Sequence, residues 1–180
     1  MVVKSDNSNL YLRSKPDSTK ANNFEKLAEA YKPFLTFNGY ELCWFENSQK
    51  IECWPARSGA EGYQSAAYQS LEDKGPIPEG EWYVRQNRYQ SKPPVGADWI
   101  EDLKNSIGRG QWPGGEAAWG KNRIWLIPKS VKITYGRGGF SIHGGDSLGS
   151  AGCIDLASSM PLFILKFLSF EQNMILKVKY

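Results

Sequence analysis

Gly138-Gly139-Phe140-Ser141-Ile142-His143-Gly144-Gly145, closed by Ser150-Ala151-Gly152-Cys153-Ile154-Asp155-Leu156, decides the reading of this 180-residue chain. His143 is its only histidine and stands ten positions before Cys153, with Gly144 after the one and Gly152 before the other. Phe140 to His143 alternates, which predicts a strand with Phe140 and Ile142 on one face and Ser141 and His143 on the other. Gly144-Gly145 then turns the chain. The Gly- and Ser-rich residues 144–151 bring Cys153 back beside His143 as the next strand begins. An imidazole next to a thiol is the minimum equipment of a sulfur nucleophile: the ring takes the proton and the thiolate attacks a carbonyl. Gly152 leaves room beside the thiol, and the backbone amides of Gly152 and Cys153 are candidate donors to a developing oxyanion. The competing reading is a hydrogen-bonded turn histidine beside a buried strand cysteine. A metal site is disfavoured, because one histidine and one free cysteine fall short of the usual three or four ligands.

Outward from this stretch the chain reads as strands and turns. Phe34-Leu35-Thr36-Phe37 and Tyr40 to Phe45 are strand material, Asn47 to Lys50 a turn, and Ile51 to Ala56 the return of a hairpin. Residues 59–74 read as a surface loop. Gly75-Pro76-Ile77-Pro78-Glu79-Gly80 is a rigid turn before the strand Glu81 to Arg85, its prolines barred from a central strand. Residues 87–120 carry Pro93-Pro94, Pro113-Gly114-Gly115 and Trp99, Trp112 and Trp119; a connection this long predicts a lid or binding loop. Arg123 to Ile127, Val131 to Tyr135 and Met174 to Tyr180 read as further strands. Ser158 or Ser159 is expected to cap a helix running to about Phe170, with Pro161 in its first turn. At the other end, Asn22 or Asn23 caps an expected helix with Phe24, Leu27, Ala28 and Tyr31 on one face, stopped by Pro33. The domain division is thus an N-terminal extension, 1–34, and a mainly β body, 35–180, built as a β-sandwich-like core with a C-terminal helix.

The composition places the chain among ordinary globular proteins. Hydrophobic residues make up 41%, and the 22 basic and 19 acidic residues leave a net charge of only +3, which gives no footprint for nucleic acid. No apolar run approaches the roughly 18 residues of a membrane span, so membrane insertion is not expected. The N-terminus lacks the apolar core of a signal peptide. Three cysteines leave at least one thiol free, and Cys153 is the candidate. Cys43 and Cys53 flank the first hairpin. They could face each other across it; because a bridge needs specific Cβ geometry, the reading as two small buried residues is favoured.

The run His143-Gly144, then Ser150-x-Gly152-Cys153-Ile154, resembles the active-site signature of the L,D-transpeptidase (YkuD-type) catalytic domain. Its histidine precedes its cysteine, the reverse of papain-like hydrolases. The turn Gly75 to Gly80 resembles that family's proline-glycine segment ahead of a strand. With Ser58-Gly59 and Tyr135 to Gly145 included, the pattern is similar to a compact branch containing the L,D-transpeptidase effectors of type VI secretion systems. The resemblance spans roughly residues 35–180.

The resemblance implies an L,D-transpeptidase-like fold and acyl transfer on peptidoglycan stem peptides. Cys153 would attack the carbonyl of the bond joining the third stem residue to D-Ala, and His143 would take the thiol proton. A thioester would pass to water (L,D-carboxypeptidase), to a D-amino acid (exchange) or to a second stem (cross-link). No metal or organic cofactor is implied. His143 needs an acceptor for its second nitrogen: a carbonyl of the Gly144–Ser150 loop, or else Ser141 or Asp155. The commonest members of the family carry Arg or Asn where this chain has Asp155. Arg137, Arg109 and Arg123 are therefore the candidates for holding a substrate carboxylate, with Trp112 as an aromatic contact. The effector branch further implies synthesis in the cytoplasm, action in the periplasm of a target Gram-negative cell, a cognate immunity protein and a possible secretion-machinery partner. A housekeeping L,D-transpeptidase and a peptidoglycan-binding module without turnover are the alternatives.

Overall fold

The computed structural model describes residues 32–180, and the helix expected from Asn22 to Tyr31 lies outside them. The order of elements is β1 (Phe34–Phe37), β2 (Glu41–Glu46), β3 (Gln49–Pro55), β4 (Gly80–Ser91), α1 (Trp99–Ser106), α2 (Gly115–Trp119), β5 (Asn122–Pro128), β6 (Ser141–His143), β7 (Ile154–Asp155), α3 (Met160–Phe170) and β8 (Met174–Val178). The architecture is mainly β with a C-terminal helix, as the sequence leads one to expect. All eight strands join one sheet in the order β3-β2-β1-β8-β4-β5-β6-β7. The pairs β1/β8 and β6/β7 are parallel and the others antiparallel.

The last strand completes the middle of the sheet. In β8, Met174, Leu176 and Val178 are buried while Lys177 is exposed, the period-two pattern of a strand with one covered face. α3 carries the chain from the β7 edge back to that central position. Phe163 and Phe167 of α3 are fully buried, and Phe163 meets Trp54 edge-on at 5.2 Å. Trp44, Trp82, Ile124, Phe140, Ile142, Ile154 and Leu176 belong to the same core, which reaches the inner side of β6 and β7. No helix among the described residues is long and apolar enough to cross a membrane.

Four local expectations are corrected. Val131 to Thr134 forms a 3-10 turn instead of a strand. Its apolar residue Ile133 packs over Gly80, where an added Cβ would lie 2.8 Å from Ile133 Cδ1. Residues 87–120 are largely regular: β4 runs on to Ser91, and α1 and α2 follow. Asp98 caps α1 by accepting from the amides of Ile100 and Glu101. Ser159 occupies the N-cap of α3 but makes no side-chain cap bond. Finally, Cys43 and Cys53 are not two separate buried thiols. They are direct cross-strand partners in the β2/β3 ladder and form a disulfide.

Closing a loop of sequence separation 10 is worth about 3 kcal/mol on the chain-entropy account. Replacing both cysteines by alanine is therefore expected to lower the urea-unfolding free energy by about 2–3 kcal/mol. A loss below about 0.5 kcal/mol contradicts a stabilising bridge.

Candidate active site

β6 is the strand that presents the site. It pairs antiparallel with β5, Arg123 opposite His143 and Ile124 opposite Ile142. It pairs parallel with β7, Ile142 opposite Ile154 and His143 opposite Asp155. The alternation read from the sequence is present: Phe140 and Ile142 enter the core, and Ser141 and His143 face the other way with Cys153. Two glycines make the return possible. A Cβ on Gly144 would fall 2.9 Å from Met160 Cβ and 3.0 Å from the Ala157 carbonyl oxygen. Gly152 has φ of +101°, and a Cβ there would meet an Arg137 guanidinium nitrogen at 2.7 Å.

His143 and Cys153 are both buried, 2% and 5% exposed. His143 Nδ1 lies 2.5 Å from the Gly144 carbonyl oxygen. A carbonyl only accepts, so Nδ1 carries the hydrogen and Nε2 of the neutral ring is a bare base. Nε2 lies 3.3 Å from Ser150 Oγ. That hydroxyl also reaches the Cys153 carbonyl at 3.2 Å. The sulfur accepts from the Ser141 hydroxyl at 3.3 Å, and the thiol donates to the Gly139 carbonyl at 3.5 Å.

Burial dominates the electrostatics. It pulls the imidazole down to about 4, opposed by the Gly144 bond and assisted by the Arg123 cation. It pushes the Cys153 thiol up, opposed by the bonds from Ser141 and Ser150. The resting pair at neutral pH is thus a thiol and an uncharged imidazole, with the Ser141 hydroxyl already donating to the sulfur.

The remaining candidates fall into two groups. Arg123 is 4% exposed and caged by aromatic rings, its guanidinium carbon 4.2, 5.2 and 4.5 Å from the centroids of Trp112, Trp119 and Trp125. It donates to Gln90 Oε1 and the Gln111 carbonyl. Trp112 is buried beneath it. Trp119, read from the sequence only as part of the 87–120 lid or binding loop, contacts both this cation and His143, its ring 4.9 Å from the imidazole. Arg137 lies on the other side, beside Gly152, and donates to the carbonyls of Gln69, Gly75 and Pro76. Arg109 is exposed, beyond α1. Asp155 is buried, its carboxyl raised to about 6 by burial; its side chain accepts from the Ala157 amide.

The structure corrects the expected oxyanion donors and reveals a support. The Gly152 amide donates to the Ser150 carbonyl at 2.8 Å, which leaves the Cys153 amide of the pair. The Ser150 carbonyl also accepts from the Gly59 amide at 2.7 Å, and Ser58 Oγ accepts from the Ile77 amide. Ser58-Gly59 and the 75–80 turn, visible in the sequence only as a pattern, thereby buttress the loop. Among the described residues, Glu41, Cys43 and Cys53 cluster as metal-ligand types, but both sulfurs are consumed by the disulfide.

Because His143 is the only histidine, its ring proton resonance is unambiguous in solution NMR. It is expected to titrate near pH 4, the ring neutral above that value and charged below it. The unfolded chain takes this proton first as pH falls below about 6.5, so the group withdraws stability between there and about 4. A midpoint near the ordinary 6.5 contradicts a buried neutral base.

The Tlde1 domain matches residues 52–179. Among solved structures, the chain is similar to Bd1075 of Bdellovibrio bacteriovorus, at 17% identity and TM-score 0.49, over 83% of this chain and 48% of that one. It is also similar to L,D-transpeptidase 1 of Mycobacterium tuberculosis, at 12% identity and TM-score 0.42, over 82% and 62% of the two chains. An L,D-transpeptidase of Xylanimonas cellulosilytica is similar at 12% identity and TM-score 0.41, over 87% and 69%. The chain spans about half the length of Bd1075. A comparison with curated proteins finds no match. With the domain matching from strand β3 through strand β8, the chain belongs to the Tlde1 domain family.

Proposed function

We propose that this protein is a cysteine acyltransferase of peptidoglycan stem peptides, with Cys153 as nucleophile and His143 as base. The observation that carries the reading is the junction of the one free thiol and the one imidazole in a buried site. Nδ1 is held by the Gly144 carbonyl, and the Ser150 hydroxyl lies 3.3 Å from Nε2. Cys153 attacks the carbonyl between the third stem residue and D-Ala, and its proton passes to His143. The Cys153 amide donates to the oxyanion, which acquires charge only in the transition state. D-Ala leaves with the proton from the imidazolium, and a thioester remains. Water, a D-amino acid or a second stem then accepts the acyl group.

Arg137 supplies the positive charge that Asp155 does not. Its hydrogen-bond acceptors are neutral carbonyls beside Gly152, so its charge remains available to a stem carboxylate. Arg123 is committed to its aromatic cage and acts on His143 through its charge. The effector reading places the activity in the periplasm of a target cell, with an immunity protein as partner. The Cys43–Cys53 disulfide supports an oxidising compartment.

Wild-type and Cys153→Ala protein incubated with diaminopimelate-type tetrapeptide muropeptides, with and without D-Met, test the reading by mass spectrometry. Loss of D-Ala and incorporation of D-Met are expected for the wild type, and at least about 1,000-fold less for Cys153→Ala. Unchanged stems in both, with sacculus binding retained, would establish a binding module instead.

A further inference from the structure

We infer that Trp119 is a positioning residue for His143: its indole shields the imidazole from water, and the end of α2 that carries it braces the Gly144 peptide to which Nδ1 donates. This rests on the assignment of His143 as the base for Cys153.

α2 meets the residues around the ring at close range. The Trp119 and His143 ring centroids lie 4.9 Å apart, the planes inclined at 46°. His143 is 2% exposed and Trp119 half-buried, so the indole is the member of the pair that meets solvent. The Asp146 amide donates to the Ala117 carbonyl at 2.9 Å. Gly120, with φ of +65°, lies against Gly144: a Cβ on it would fall 3.1 Å from the Gly144 carbonyl carbon. A Cβ on Gly145 would fall 3.0 Å from the Ala117 carbonyl oxygen. These glycines let the end of α2 reach the backbone that follows His143.

The indole is itself fixed. Its Nε1 donates to the Pro113 carbonyl at 2.8 Å, and its ring lies 5.2 Å from the Arg123 guanidinium carbon and 6.2 Å from the Trp125 ring. A rigid neighbour of this kind holds a reacting group in its working geometry, and a displacement of about 1 Å can cost up to about 100-fold in rate. With Nδ1 committed to the Gly144 carbonyl, a ring that cannot turn keeps Nε2 as its bare base.

The charges facing the imidazole come from Arg123, opposite it on β5, and Asp155, opposite it on β7. On α2, Glu116 pairs with Lys92 at 3.7 Å, and Asp146 of the following loop is exposed. None of these is removed with the indole, and Arg123 keeps the Trp112 and Trp125 rings. A change in the His143 titration on replacing Trp119 therefore reports the lost shield.

Solution NMR of the single histidine tests the inference without peptidoglycan. NOEs between the His143 ring protons and the Trp119 indole are expected in the wild type, a measurement that stands even if a variant fails to fold. Trp119→Ala is expected to raise the His143 midpoint from about 4 toward 6.5 by about one pH unit or more, and Trp119→Phe to restore most of that change. On tetrapeptide muropeptides, Trp119→Ala is expected to lower kcat about tenfold or more with KM within about threefold. Absent NOEs, a wild-type midpoint already near 6.5, or a folded Trp119→Ala protein that titrates like the wild type overturns the role. The two readings fail separately. A midpoint that depends on Trp119 in a protein that leaves muropeptides intact upholds the shield and removes the substrate. Stem trimming with a midpoint indifferent to Trp119 does the reverse.

Discussion

The parallel register of β6 and β7 is the constraint on which the site depends. Ile142 lies opposite Ile154, and both are fully buried. With these two residues anchored in the core, His143 and Cys153 are carried to the opposite side together. A slip of one residue would send Cys153 into the core and Ile154 out of it, at a cost of order 2–3 kcal/mol for the isoleucine alone. The register is enforced from three directions. Arg123 and Ile124 of β5 pair with β6, the backbone of Arg57 pairs with Asp155, and Gly59 ties down Ser150. The crossing of α3 to β8 then covers the core face that β6 and β7 share.

Burial and hydrogen bonding divide the electrostatic task. Removing water from His143 and Cys153 makes the uncharged pair the resting state. A donor for the charged state is already in place: the Ser141 hydroxyl reaches the sulfur at 3.3 Å. Because it is fixed before charge develops, it need not reorganise as the charge appears. Arg123 adds a buried cation opposite His143 on the neighbouring strand, held by three tryptophans and by two neutral acceptors. Trp119 packs against the imidazole and, through its bond to the Pro113 carbonyl, ties the α1–α2 segment to the site.

Much of this was legible because it is local. Period-two alternation in Phe140 to His143, the glycines that follow and the proline turn before β4 each speak through a few residues, and each is where the sequence places it. The errors arise where partners are distant. Val131-Lys132-Ile133-Thr134 alternates like a strand, yet it forms a 3-10 turn in which Ile133 packs over Gly80. The capping signal of Asp98 three residues before Glu101 was present in the sequence, but the surrounding prolines and tryptophans obscured it. The Cys43–Cys53 bridge required knowing which residues of β2 and β3 face each other. The cage around Arg123 draws on α2, β5 and the segment between the two short helices, and no spacing in the sequence predicts it.

The central claim is that acyl transfer runs through a covalent bond to Cys153. Intact-protein mass spectrometry after rapid acid quench of the enzyme with a disaccharide tetrapeptide measures this directly. The account predicts a transient adduct equal to the muropeptide less D-Ala, mapped by peptide digestion to Cys153 and absent from Cys153→Ala. An adduct on another residue, or turnover by Cys153→Ala at the wild-type rate, would contradict it.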